Sequence, residues 1–419
     1  MTEPTPVKRE ITAAERWLLL AALAVGVLFD QLVSSLYRGS FLEWWSVFWL
    51  CYLVLFYALY WQRLARDKIL WFIAACAAAL CLWAFFFDGS QTGYGSLTML
   101  VIPCVLMAHA AASAGEYRLK DAGGIAAEWF SGWFVKPFTG LPAFAGAAGS
   151  LVSGGRRPVV RKILLGAAVT LPLLGLLILL LSGADQVFGY YLDRITADWK
   201  IGAAVRHGVV VCIATALFYS FLWNIGFGKR KSPVKAAAGE IDRVVCFVVL
   251  GSVTLLYLLF CGIQFTYLFA GAGLPGGMTY AEYARAGFAQ TVAVCAINLG
   301  IFGVFLRFGA KSAALPALLA GLLGLTGVML VSGFVRLKLY IDAFGLTWLR
   351  LLSAWFILYL AAVLLLCAIR LVREKLPLIA VCALLLFGWY AALGYANPGG
   401  FAARYNESRG YAQTIVEMG

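Results

Sequence analysis

The segment RLKLYIDAFGLTWLR, Arg336–Arg350, closes one long apolar run and opens the next. Arg336, Lys338 and Arg350 stand at the ends of those runs with only Asp342 as an acid between them. Each flanking run is about 20 residues or more, long enough to cross a hydrocarbon core of about 30 Å as a helix. The segment therefore reads as a short connection between two membrane helices. That reading decides the fold, because apolar runs of the same length recur along the whole chain.

Composition agrees. Of 419 residues, 63% are apolar and 13% charged, whereas a soluble chain carries about 25% charged residues. Backbone groups in lipid have to be satisfied internally, and the runs show no strand-like alternation, so they are helices. The expected class is all-α: a polytopic membrane helix bundle of about eleven transmembrane helices plus one cytoplasmic interfacial helix. The spans fall near 17–37, 41–61, 69–87, 94–114, 162–182, 201–226, 243–270, 287–308, 315–339, 347–369 and 376–396. The first run is too long for a signal peptide and reads as a retained helix. The chain reads as one integral membrane domain, with four helices over 17–114, a cytoplasmic segment over 115–160, seven helices over 162–396 and a short outer tail over 397–419.

Charge sets the orientation. With the N-terminus in the cytoplasm, the inner segments include Arg63, Arg66 and Lys68, then Lys229, Arg230, Lys231 and Lys235, then Arg370, Arg373 and Lys375. The outer segments balance their basic and acidic residues, so the net charge of +13 lies on the cytoplasmic side. This accounts for the basic character of the chain without a nucleic-acid partner. The C-terminus is then extracytoplasmic, and so is Arg336–Arg350. Its three basic residues break the rule the rest of the chain obeys. Snorkelling to head groups is one explanation, and an anion site is the other.

Within the cytoplasmic segment, GIAAEWFSGWFVKPF, Gly124–Phe138, spaces Ile125, Trp129 and Trp133 four residues apart beside Phe130 and Phe134. This pattern predicts a short helix lying in the membrane interface. The Gly-, Ala- and Ser-rich stretch that follows, Phe138–Pro158, reads as a linker.

The ten cysteines all lie inside predicted spans and form no C-x-x-C pair, so they read as small buried hydrophobes. With His109 and His207 the only histidines, on opposite sides of the bilayer, neither a histidine zinc site nor a catalytic triad is expected. No metal and no cofactor is expected. Gly321, Gly324 and Gly327 with Ala317 and Ala320 suit close helix packing.

Three segments taken in order carry a resemblance. They are TYAEYARAGFAQTVAVCAINL (Thr279–Leu299), YIDAFGLTWLRLLSAWFILYLAAVLLL (Tyr340–Leu366) and NPGGFAARYNESRG (Asn397–Gly410). Together they resemble successive signatures of a bacterial family of multi-span membrane proteins in the domain-of-unknown-function class, of the type numbered four-one-five-three and four-one-seven-three. The resemblance is best over about 242–410. It implies a multi-pass protein of the bacterial cytoplasmic (inner) membrane and brings no catalytic residues with it.

The membrane-embedded polar residues are Asp30, Arg206, His207, Gln264 and Asn298. A charge facing lipid is costly, so Asp30 and Arg206 are expected to face protein or water, and an Asp30–Arg206 pair is one arrangement. These groups are displaced toward the outer face, which favours a pocket opening outward over a through-path. Its cations would be Arg285, Arg336, Lys338, Arg350 and Arg404, suited to phosphate or carboxylate, with Glu282 and Asp342 as orienting acids. The leading reading is an envelope protein that binds an anionic lipid head group or small-molecule ligand at its outer face. A transporter or channel for a small solute is the alternative. A membrane enzyme acting on a lipid-linked substrate, with Glu282 or Asp342 as acid–base group, is the third. The oligomeric state is left open.

Overall fold

The computed structural model of the protein describes residues 12–36, 40–87, 92–114, 122–153, 202–228, 240–264 and 280–411. Every regular element among them is a helix, and the chain divides into two compact units, Met1–Val234 and Lys235–Gly419. Nine of the described helices are long and apolar enough to cross a membrane. They correspond to nine of the eleven expected spans. The span near 287–308 is also a helix, Tyr280–Phe308, with its apolar part over Val292–Phe308. The span near 162–182 lies outside the described residues.

The first unit holds α1 (Ala13–Ser35), α2 (Phe41–Leu64), α3 (Lys68–Phe86), α4 (Thr92–Ala114), α5 (Ala122–Phe134), α6 (Lys136–Thr139), α7 (Leu141–Ser153) and α8 (Gly202–Gly226). Local chemistry sets the helix starts. Thr12 and Glu15 form a reciprocal capping box at α1, and Asp67 accepts from the Ile69 and Leu70 amides at α3. The pairing of α1 with α8 is defined at both ends. Trp223 Nε1 donates to Glu15 Oε1 at 3.1 Å, and His207 meets Asp30 at 2.8 Å. The two helices therefore run antiparallel. Gly26 lets them approach closely, since a Cβ there would stand 2.9 Å from the Val211 carbonyl oxygen.

Of the stretch expected as a linker, Leu141–Ser153 is helical instead, and 154–158 lie outside the described residues. The helical part forms α7, because alanine favours helix and its apolar side has somewhere to go. Leu141, Phe144, Ala145 and Ala147 are buried, with the Phe144 ring 5.6 Å from that of Tyr219 on α8. The break at α6 is held by side chains of α8. Ser220 Oγ donates to the Lys136 carbonyl and accepts from the Gly140 amide, and Asn224 donates to the same carbonyl.

On α5 the aromatic face also differs from expectation. Trp129 turns inward and donates to the Cys104 carbonyl at 3.0 Å, while Gly132 packs on Met107. Phe130, Phe134 and Phe138 form the exposed stripe, at 61%, 71% and 52%. Neighbouring residues on a helix point about 100° apart, so the tryptophans and phenylalanines take adjacent sides of α5, with the Trp129 and Phe130 rings 5.1 Å apart.

The second unit holds α9 (Arg243–Gln264), α10 (Tyr280–Phe308), α11 (Leu315–Phe344), α12 (Trp348–Val372), α13 (Leu378–Tyr395) and α14 (Pro398–Ser408). Helix α11 packs against α9, α10 and α12. At one end Leu250, Phe302, Leu319, Leu322 and Cys367 form a core, and the Ile241 backbone bridges Phe308 and Ala310. At the other end Cys295, Met329, Leu330, Leu337, Ile357 and Leu360 pack together. Trp355 and Trp389 each donate their indole N–H to the other's carbonyl at 3.1 Å, joining α12 to α13.

Candidate functional site

Helix α14 docks beside the turn that joins α11 to α12. Asn406, fully buried, carries the contact. Its Oδ1 accepts from the Leu346 amide at 2.7 Å and its Nδ2 donates to the Leu346 carbonyl at 2.9 Å. One side chain thus satisfies both backbone groups of a residue that no helix serves. Gly345 makes this geometry accessible, with φ +77°, and a Cβ there would come within 3.2 Å of Asn406 Oδ1 and of the Tyr411 ring. Tyr411 OH donates to the Asp342 carbonyl, and Tyr405 OH to Asp342 Oδ1 at 3.2 Å. The segment Asn397–Gly410 and the segment Tyr340–Leu366, far apart in sequence, meet here as a clasp.

The cations divide by what they already touch. Arg350 Nη1 donates to the Phe344 and Gly345 carbonyls, and its guanidinium lies 4.1 Å from the Tyr340 ring centroid. It therefore caps the C-terminus of α11, where the freed carbonyls and the helix dipole favour a cation. Arg336 is buried at 5%. Lys338 is 3.6 Å from Asp342 Oδ2 with a side chain 68% exposed. Arg404 on α14 and Arg409 just after it are exposed, and Arg409 lies 5.5 Å from the Tyr405 ring centroid. The structure thus brings Lys338, Asp342 and Arg350 together around the clasp, with Arg404 on the helix that closes it. Glu282 and Arg285 lie on α10, and their side chains fall outside the described ones, as does that of Gln264.

Desolvation and the neighbouring Asp342 carboxylate raise the Tyr405 pKa above its ordinary value of 10.0, while Arg409 opposes the shift. Tyr405 is thus held as a neutral donor to Asp342. Asp342 is taken up by Tyr405 and Lys338, and the exposed rim carries Lys338, Arg404 and Arg409 with Glu407 among them, a basic excess.

The embedded polar residues form two further sets. Asp30 is 5% exposed, and its two carboxylate oxygens each lie 2.8 Å from His207 Nδ1. His207, not the neighbouring Arg206, is the partner found for Asp30. In the second unit Tyr257 OH donates to Asn298 Oδ1 at 2.7 Å, Asn298 Nδ2 to Thr326 Oγ1 at 3.0 Å, and Thr326 Oγ1 to the Leu322 carbonyl. This neutral chain links α9, α10 and α11. Among the described residues no group of three or more His, Cys, Asp or Glu is placed to hold a metal.

Sequence reasoning missed Tyr405, Asn406 and Tyr411. The signal was present as a polar Tyr-Asn pair in an otherwise alanine- and glycine-rich helix, but nothing local says that its partner is residue 346.

Residues 74–417 match the family described as Domain of unknown function (DUF4153). The chain belongs to that family. The match extends the resemblance seen over about 242–410 back to residue 74, so it takes in helices of both units. No curated protein and no solved structure matches the chain significantly.

Proposed function

We propose that this DUF4153 member sits in the bacterial inner membrane with its N-terminus cytoplasmic and its C-terminus extracytoplasmic. There it binds the anionic head group of a lipid in an envelope-related role, without catalysing a reaction. The observation that carries this reading is the basic rim of the clasp. Lys338, Arg404 and Arg409 are exposed on elements that Asn406 ties together, so their charges are presented from an ordered platform. Arg350 supports that platform from within.

Each basic side chain near an anionic surface contributes about 1 kcal/mol, or roughly fivefold in affinity. The test uses the full chain in nanodiscs with and without phosphatidylglycerol. Replacing Lys338, Arg404 and Arg409 by Gln, singly and together, is expected to lower the phosphatidylglycerol-dependent thermal shift stepwise. Arg350→Gln is expected to lower stability in both lipid compositions alike. A triple variant with an undiminished shift removes the reading. Reporters fused at Gly419 and at Pro233 test the orientation, with activity expected outside and inside respectively.

Transport of a small solute is the second reading, and the Asp30–His207 pair within the membrane favours it, since such pairs occur on proton paths. Proton uptake by proteoliposomes that is lost in Asp30→Asn would move the conclusion to transport.

A further inference from the structure

Helices α11 and α12 do not close on each other along their whole length. Between them lies an open groove of about 630 Å³. Its α11 wall is Pro316, Ala320, Gly324 and Gly327, and its α12 wall includes Leu364 and Ala368. The small residues were expected to serve close helix packing. Yet a Cβ added at Gly324 or Gly327 would meet no atom within 4 Å among the described residues. Nothing described fills the space they leave.

The dimensions and the charge identify an occupant. Pro316 to Gly327 is about 16 Å of helix, close to the roughly 15 Å depth of one leaflet's hydrocarbon. The walls are apolar throughout. One end of the groove lies where Val372 closes α12, and the chain there carries Arg373 and Lys375, with Lys311 just before α11. All three are exposed; Glu374 lies among them, and Glu240 Oε1 accepts from the Lys311 amide at 3.3 Å, leaving a net positive end. The site is thus an apolar trough one leaflet deep with a cationic entrance. A second copy docked through the same groove about a two-fold axis would set Arg373 and Lys375 against themselves.

We infer that the groove binds one acyl chain of an anionic phospholipid, with the phosphate at Arg373, Lys375 and Lys311. On the charge-based orientation this is a lipid of the cytoplasmic leaflet, distinct from the outer-face rim. Attraction comes from van der Waals contact with a shaped trough and from the head group, since lipid tails gain nothing from leaving other lipid.

The experiment is native mass spectrometry and thermal shift on the full chain in detergent, titrated with phosphatidylglycerol or phosphatidylcholine. The wild type is expected to retain phosphatidylglycerol preferentially. The Gly324→Leu, Gly327→Leu double variant fills the trough from within, where the backbone leaves room, and is expected to lose about tenfold or more in phosphatidylglycerol affinity. Arg373→Gln with Lys375→Gln is expected to erase the preference over phosphatidylcholine while leaving the fold intact. Clasp variants at Lys338 and Arg404 serve as the control for the outer rim and are expected to leave the groove effect in place. Equal retention of both lipids by the wild type, or unchanged phosphatidylglycerol binding when the trough is filled, overturns the proposal. A dimer that dissociates on filling, with lipid binding unchanged, assigns the groove to a second copy instead.

Discussion

The two units treat polar groups in a membrane differently. The first buries charge. Asp30 faces His207, and Glu15, 4% exposed, accepts from Trp223, in spans whose residues are 39–50% buried. The second joins its helices mainly through a neutral network, Tyr257, Asn298 and Thr326, and among the described residues buries Arg336 as its one charged side chain. It leaves α9 with 11% and α12 and α13 with 22% of their residues buried, among the described residues. Its other named charges sit near helix ends, in the clasp and beside the groove. A buried carboxylate is stranded when its one partner is lost, whereas a neutral network loses one hydrogen bond at a time. The first unit should therefore be brittle at single positions. The second should fail locally and cheaply, except at the clasp.

The largest effect tests that brittleness. His207→Ala strands the Asp30 carboxylate and is expected to cost about 3 kcal/mol, the lower end for breaking a buried pair because the His207 ring is partly exposed. Adding Asp30→Asn should restore most of it. Thermal unfolding in detergent measures both, and a double variant no better than the single one would mean that the pair is not the unit of stability.

The clasp comes next. Asn406→Ala leaves two buried backbone groups of Leu346 unsatisfied, an expected cost of about 2 kcal/mol. The damage should stay local. Hydrogen exchange is expected to accelerate over 342–350 and 398–411 with little change in the first unit. Uniform acceleration across both units would erase the contrast between them.

The neutral network is expected to yield less. Asn298→Ala should cost about 1 kcal/mol, as interhelical hydrogen bonds in membrane proteins do. A loss as large as that of His207→Ala, in the same unfolding assay, would show that neutrality offers no protection.

Two small effects complete the order. Tyr405 has its pKa raised in the folded protein, so its contribution is fully present below about pH 10 and is lost as the pH rises through the shifted value. Exchange at the clasp is expected to speed up above about pH 10 in the wild type and to lose that dependence in Tyr405→Phe. The Lys338–Asp342 pair, with its lysine 68% exposed, should contribute almost nothing to stability, and Lys338→Met is expected to leave the melting temperature unchanged.

Much of the architecture was legible in the residues. Long apolar runs mark the spans whatever they pack against, and the three ordered segments pointed to the family. The site was legible only in outline. Arg336–Arg350 stood out because its charges broke the positive-inside pattern, yet Arg350 proves to cap its own connection. Asn406 drew no attention, although it closes the clasp across 60 residues. Gly324 and Gly327 looked like packing residues and instead line an open groove.

The sequence by itself determined the class, the positions of most spans and the family, because the cost of placing a residue in lipid is paid residue by residue along one helix. The tertiary structure decided the partners. Asp30 and His207 are separated by 177 positions, and His207 differs from Arg206 by one step of about 100° around α8. No periodicity within one helix says which of those two faces turns toward another, because that rotation is set by packing against a helix remote in the chain.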